Sequence, residues 1–237
     1  MSTPFQLFGL PHLVIIALIP AIAATLTRWS RGREARIQKI RFFLAWMILI
    51  VELAWYAYYL ERGWFTFPYS LPLHLCDLVL WLTVYALFTL KPWAYELIYY
   101  WGLAGTTMAV LTPDVSTPTL SYLTLSFFAA HGGIIVAILF LTWSRQLRPR
   151  PGSVWRAFLA LHLYAALIAL FNIIFETNYF YICEKPTEAS LLDYMGPWPL
   201  YVLVGDALGL LLFWLLWLPF GKTRQTVQRE PNIKDRS

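Results

Sequence analysis

The chain has 237 residues, 59% of them hydrophobic and only 13% charged, with a formal net charge of +5. A soluble domain of this length cannot hide so much apolar surface, which excludes an ordinary water-soluble globular protein. The basic residues fall in short loops between apolar runs, so the charge needs no nucleic acid to explain it, and no nucleic-acid partner is expected.

Runs long enough to cross a hydrocarbon layer recur seven times, at about 10–27, 42–60, 72–90, 93–111, 119–143, 154–177 and 197–219. The expected fold class is an all-α membrane protein: a bundle of seven transmembrane helices in one domain over 1–221, with a polar cytoplasmic tail over 222–237. Alternate loops and the tail hold 16 of the 18 Lys and Arg, and the opposite side holds only Arg62 and Lys185 beside Glu61, Asp114, Glu184, Glu188 and Asp193. By the positive-inside rule the N-terminus is expected outside and the C-terminus inside. The first dozen residues carry no basic leader segment, so no cleaved signal is expected.

In chain order, His12 stands at the outer entrance of the first span and reads as an interfacial residue. Glu52 lies near the middle of the second span, which ends in the aromatic run Trp55-Tyr56-Ala57-Tyr58-Tyr59, read as an interfacial belt. The third span opens on Leu71-Pro72-Leu73-His74-Leu75-Cys76-Asp77. The fourth carries Glu96 toward the inner side, a second expected belt at Tyr99-Tyr100-Trp101, packing glycines at Gly102 and Gly105, and Thr106 and Thr107 toward its outer end. His131 lies near the middle of the fifth span, followed by Gly132-Gly133, which suit close helix packing. His162, on the inner side of the sixth span, reads as a structural hydrogen-bond donor; Asn172, Glu176 and Asn178 mark the outer end of that span. Asp206 sits a third to halfway into the seventh from outside. Most polar intramembrane residues thus fall in the outer half or at the midplane, which implies one polar cavity facing outward. Glu52 and Asp206 also fit a plainer role, as neutral carboxyls bridging helices.

The 71–77 stretch carries the chemistry. Pro72 suits a first helical position, which puts Cys76 and Asp77 near the positive end of the helix dipole, where a thiolate is favoured. His74 and Cys76, two apart, point to opposite sides, whereas His74 and Asp77 share a face. The base for Cys76 is therefore sought on another helix, and His131 is the candidate, although it lies deeper by roughly 6–10 Å if both helices stand upright. The rival for Cys76 is a disulfide to Cys183, the other cysteine of the chain. No close pair of residues has metal-ligand spacing, and no metal or cofactor is expected.

Leu-Pro-Leu-His-Leu-Cys-Asp at 71–77, Tyr-Tyr-Trp-Gly-Leu-Ala-Gly-Thr at 99–106, Leu-Thr-Pro-Asp at 111–114, Ala-His-Gly-Gly at 130–133, Asn-Tyr at 178–179 and Ser-Leu-Leu-Asp-Tyr-Met-Gly-Pro-Trp-Pro at 190–199 resemble YwaF-type bacterial integral membrane proteins. The resemblance covers about 45 to 215 and implies a multi-pass protein of the bacterial cytoplasmic membrane. It also implies kinship with a eukaryotic multi-span enzyme that moves acyl chains between phospholipids to make ether-linked phosphatidylethanolamine. By that resemblance Cys76 is the nucleophile, His131 the base, and His74 a motif member without an assigned role. The expected activity is acyl transfer from a phospholipid through a Cys76 thioester to a lysophospholipid. Asp77, Glu52, Thr106, Asn178 and Asp206 are candidates for substrate binding or support, Thr106 and Asn178 as oxyanion donors. Water in place of the lysolipid would make the chain a lipid hydrolase. A transporter or receptor built on Glu52 and Asp206 is the non-enzymatic alternative, and a purely structural membrane protein is a third. No feature of the sequence sets an oligomeric state.

Overall fold

The computed structural model describes residues 5–113, 115, 117–186 and 191–221. Its elements in order are α1 (Leu10–Ser30), α2 (Glu34–Glu61), α3 (Leu75–Thr89), α4 (Pro92–Trp101), a π-helical turn (Gly102–Thr106), α5 (Thr107–Leu111), α6 (Tyr122–Trp143), α7 (Ser153–Phe175) and α8 (Leu200–Gly221). Two short 3₁₀ turns, Tyr179–Tyr181 and Leu191–Met195, lie between α7 and α8. Helix α4, the π turn and α5 run on as one rod, so the described residues form seven rods and no strand. Five helices (α1, α2, α6, α7 and α8) are long and apolar enough to cross a membrane, and α3 is apolar but shorter. The chain is an all-helical membrane protein. The expected tail 222–237, with Asp114 and Glu188 of the acidic loops, lies outside the described residues.

Local chemistry sets the helix ends. Pro92 opens α4 in the first turn, where its missing N–H costs nothing. Ser121 caps α6 by accepting from the Thr124 N–H at 3.2 Å. Leu90 ends α3 in the left-handed conformation. Helix α3 begins at Leu75 with His74 as its N-cap, so Pro72 precedes the helix rather than opening it. The preceding Leu71–Leu73 segment is held from outside, which explains the later start. The Tyr164 hydroxyl donates to the Leu73 carbonyl at 2.6 Å, and the Tyr179 hydroxyl donates to Pro68 at 2.7 Å while accepting from the Leu71 N–H at 2.8 Å.

Helix α6 is the most buried span, and α7 and α8 are the least. Its glycines let it approach two neighbours at once. A methyl group on Gly132 would meet Ile19 of α1 at 3.3 Å, and one on Gly133 would meet Met47 and Ile48 of α2 at 3.2 Å. The α4 rod is the hub for hydrogen bonds. Thr142 spends its own proton on the Ile138 carbonyl, so the Tyr95 hydroxyl is the donor in their 2.7 Å contact. Tyr99 donates to Leu216 of α8 at 3.0 Å, Tyr100 pairs with Ser153 of α7 at 2.8 Å, and Trp101 donates to the Ala157 carbonyl at 3.1 Å. These aromatics are buried, which corrects their expected place in an interfacial belt: each ring fills core while its polar tip finds a partner on another helix.

Glu96, 2% exposed, is saturated by five donors. Arg150 gives its backbone N–H, Nε at 2.7 Å and Nη2 at 3.3 Å, and Arg156 gives Nε at 3.0 Å and Nη2 at 2.9 Å. The carboxylate in turn holds the Arg150 guanidinium charged above its ordinary value. His12 is likewise corrected from interfacial to core. It is fully buried, accepts from the Phe8 N–H at Nδ1 (3.0 Å) and donates from Nε2 to the Val110 carbonyl (2.8 Å), which ties α1 to the end of the α4 rod.

Candidate active site

Glu52, Asp77 and His131, from α2, α3 and α6, line one cavity of about 350 Å³. Trp55 and Tyr59 form its wall, with their rings stacked at 3.9 Å, and Val115 and Thr117 close it from the loop after α5. Part of the expected aromatic belt is therefore cavity wall. Glu52 is 7% exposed and has the Tyr56 hydroxyl, one turn along α2, within hydrogen-bonding reach. Asp77 has two duties: as the third residue of α3 it accepts from the His74 N–H at 3.0 Å, which caps the helix, and it also faces the cavity.

His131 is half-buried and stacks on Phe127 at 4.1 Å. Its Nδ1 lies 2.9 Å from the Phe127 carbonyl, one turn back. A carbonyl only accepts, so Nδ1 carries the proton, and the neutral ring presents its lone pair at Nε2. No hydrogen bond to Nε2 occurs among the described residues. This is the atom a general base needs.

Cys76 does not itself line the cavity; its neighbour Asp77 does. The thiol is half-buried and Cys183 is exposed; both are free, so the two are not joined. Cys76 shares a stripe of α3 with Val79, Leu80 and Thr83, all buried. The level of that stripe is fixed at Gly102, where a methyl group would meet Ile138 at 2.5 Å, Val79 at 3.3 Å and Ile134 at 3.5 Å. Val79 and Ile134 therefore lie in one layer. Helices α3 and α6 run the same way, each antiparallel to the rod between them. Ile138, nearer still, belongs to that layer as well, so three residues back along both, about 4.5 Å, set Cys76 against the turn His131–Ile135. The expected depth offset of roughly 6–10 Å thus comes down to about one helical turn or less.

Four residues forward from Gly102 on the antiparallel rod lies Thr106. It is 1% exposed, and its hydroxyl is buried without a partner. Thr25, Thr27, Thr83, Thr89 and Thr142 all donate to the carbonyl four residues back. Thr106 ends the π turn, where the widened backbone no longer offers that carbonyl in register. Its donor is left over near the head of α3, where a methyl group on the adjacent Gly105 would meet Leu75 at 3.9 Å.

The other expected site residues go elsewhere. His74 is the N-cap of α3; its backbone N–H bonds Asp77, but its ring lies outside the cavity that Asp77 lines. It packs edge-on to Tyr179 at 5.0 Å and faces a small pocket of about 160 Å³ with Thr177 and Asn178. Asn178 organises its own loop, accepting from the Cys183 and Glu184 N–H groups and donating to the Glu184 carbonyl at 2.8 Å. It has no part in the Glu52–His131 cavity. Asp206 lies between α7 and α8, 3.3 Å from His162, and not with Glu52. The single outward cavity of the sequence reading is thus three separate spaces. Tyr56, Tyr164 and Tyr179, none of them expected at the site from the sequence, buttress Glu52 and the head of α3. Burial, and after it the charge of Asp77, holds the Tyr179 hydroxyl above the usual phenol range, so it remains a donor. No group of three His, Cys, Asp or Glu among the described residues has the arrangement of a metal site.

A family model describing the TMEM164 family matches residues 7–217. The chain belongs to the TMEM164 family. That family is distinct from the YwaF-type proteins, and the earlier resemblance is corrected accordingly. The resemblance rested on strings of two to ten residues, which Leu-, Gly- and aromatic-rich helix ends share widely, whereas the family match spans nearly the whole bundle. Neither a curated protein nor a solved structure matches the chain.

Proposed function

We propose that this TMEM164-family chain is a membrane-embedded acyltransferase that moves acyl chains between phospholipids, with Cys76 as nucleophile and His131 as base. Seven spans with the N-terminus outside go with this reading, supported by the alternation of basic and acidic loops. The observation that carries it is the imidazole of His131, whose Nδ1 is committed to a carbonyl and whose Nε2 is free, beside a cavity shared with Asp77, the residue next to Cys76.

In the first step His131 Nε2 takes the thiol proton and Sγ attacks the ester carbonyl carbon. The negative charge on the carbonyl oxygen is met by the unpaired Thr106 hydroxyl. The C–O bond to the glycerol oxygen breaks, that oxygen takes the proton back from His131, and a lysolipid leaves. In the second step His131 removes the proton of an acceptor hydroxyl, which attacks the thioester. The C–S bond breaks and the thiol recovers its proton. Water as acceptor gives hydrolysis by the same route. Glu52 and Asp77 polarise the cavity wall opposite His131.

Incubating the purified protein in nanodiscs with phosphatidylcholine carrying a labelled acyl chain is expected to give a hydroxylamine-sensitive label on the protein. Cys76→Ala abolishes it. Equal labelling of wild type and Cys76→Ala across several phospholipids would reject the mechanism. A second reading is favoured by one observation: Glu52, Asp77 and His131 line the cavity while Cys76 does not. On that reading the cavity binds a small cation or proton-coupled solute, and transport or binding depends on Glu52 but tolerates Cys76→Ala.

A further inference from the structure

Between α7 and α8 lies a second space, of about 540 Å³, whose lining shares no residue with the Glu52–His131 cavity. Its one ionisable pair is His162 and Asp206, with Nε2 to Oδ1 at 3.3 Å. His162 Nδ1 lies 2.9 Å from the Phe158 carbonyl and donates to it, so both ring nitrogens are engaged. The Nε2–Oδ1 contact is attractive only with a proton between the two atoms, and the pair then has no net charge. Yet the pair is not sealed. The His162 side chain is 47% exposed and that of Asp206 37%, ten residues into α7 and seven into α8. Polar surface left bare at that depth would face hydrocarbon, which is costly, so a partner is called for.

The rest of the space states the partner's chemistry. Leu161, Ala165, Ala169 and Leu203 make hydrocarbon walls, and Gly205 leaves open room beside Asp206, since a methyl group there would meet nothing within 4 Å. The loop end is tied over by Tyr201 donating to the Tyr181 carbonyl at 2.8 Å and Trp198 donating to the Ile182 carbonyl at 3.1 Å. A bulky charged headgroup matches neither the neutral pair nor the closed end. A hydroxyl group, which donates and accepts, matches both. We infer that the α7–α8 crevice binds a monoacylglycerol, with its alkyl chain along the Leu161–Ala169 wall and a glycerol hydroxyl hydrogen-bonded to Asp206 beside His162. The site stands on its own geometry, whether or not Cys76 is a nucleophile.

The test uses a monoacylglycerol with a diazirine in its chain, photolysed with the full-length protein in nanodiscs, and peptide mapping by mass spectrometry. Label is expected on peptides around residues 161–169 and 202–206. Gly205→Leu fills the crevice without a steric conflict and is expected to cut that label at least tenfold. Gly209→Leu makes the same change one turn further along α8, also in open space but outside the crevice, and should leave the label within twofold. Methylating both glycerol hydroxyls is expected to weaken labelling at least fivefold. The inference is overturned if the methylated probe labels equally, if Gly205→Leu and Gly209→Leu behave alike, or if label spreads evenly over α1, α2, α7 and α8.

Discussion

His131 and His162 begin alike and end differently. Each donates Nδ1–H to the carbonyl four residues back at 2.9 Å, and each packs against the aromatic ring at that same position, Phe127 or Phe158. The local helix thus sets the same tautomer at both. What separates them is the neighbour at Nε2. Around His131 the glycines of α6 pull α1 and α2 in close, and Nε2 is left free above a cavity shared with two carboxyls. Around His162, α7 and α8 pack loosely and Asp206 occupies Nε2. A base needs the first arrangement and a fixed polar anchor needs the second, so one intrahelical hydrogen bond serves two chemistries according to the packing around it.

Three experiments test that contrast, in decreasing order of effect. His131→Gln is expected to lower single-turnover acyl transfer by about 10²- to 10⁴-fold, the worth of a general base, whereas His162→Gln leaves it within twofold; similar losses would erase the distinction. Thr106→Val replaces the stranded hydroxyl with a methyl group of like shape. It should raise stability by about 1 kcal/mol, because an unsatisfied buried donor is removed, while transfer falls by about 10², as for a lost oxyanion donor. A thermal melt and a turnover assay on the same sample read both, and a drop in each would reassign Thr106 to packing alone. Gly133→Val, which crowds Met47 and Ile48, should cost about 2 kcal/mol in detergent unfolding. Gly205→Leu should cost nothing measurable there, and parity between the two would contradict the tight and loose packing described.

Much of this was legible before any coordinates. Hydrocarbon thickness dictates span length, so apolar runs mark the rods directly, and the expected boundaries fall within about three residues of most helix ends; α2 is the exception, starting at Glu34 because its basic first turns are helical too. Helical phase turns the search for a base from His74 to another helix, and Asp77 of the third span does share a cavity with His131, although His74 itself is the N-cap and not a helical residue. Phase, however, gives a face and not the neighbour on it. Nothing in the strings around His162 and Asp206 indicates that α7 and α8 meet there, and Tyr99, Tyr100 and Trp101 look the same in an interfacial belt as in a core until Leu216, Ser153 and Ala157 supply their partners. The places of Asn178 and His74 were hidden for a related reason: backbone donors, invisible in a list of residue types, meet Asn178 from its own loop and His74 from the distant Phe180.

The π turn at Gly102–Thr106 also acts as a phase shifter. A turn closed five residues apart holds one more residue than an α-helical turn, so every side chain beyond it is rotated by about 100° from where an unbroken helix would carry it. Upstream, Tyr95 to Trp101 are aimed at α6, α7 and α8; downstream, the rod offers the Val110 carbonyl to His12 of α1. Two helices with different addresses are thus spliced into one by a single inserted residue, and the hydroxyl stranded at the splice belongs to Thr106.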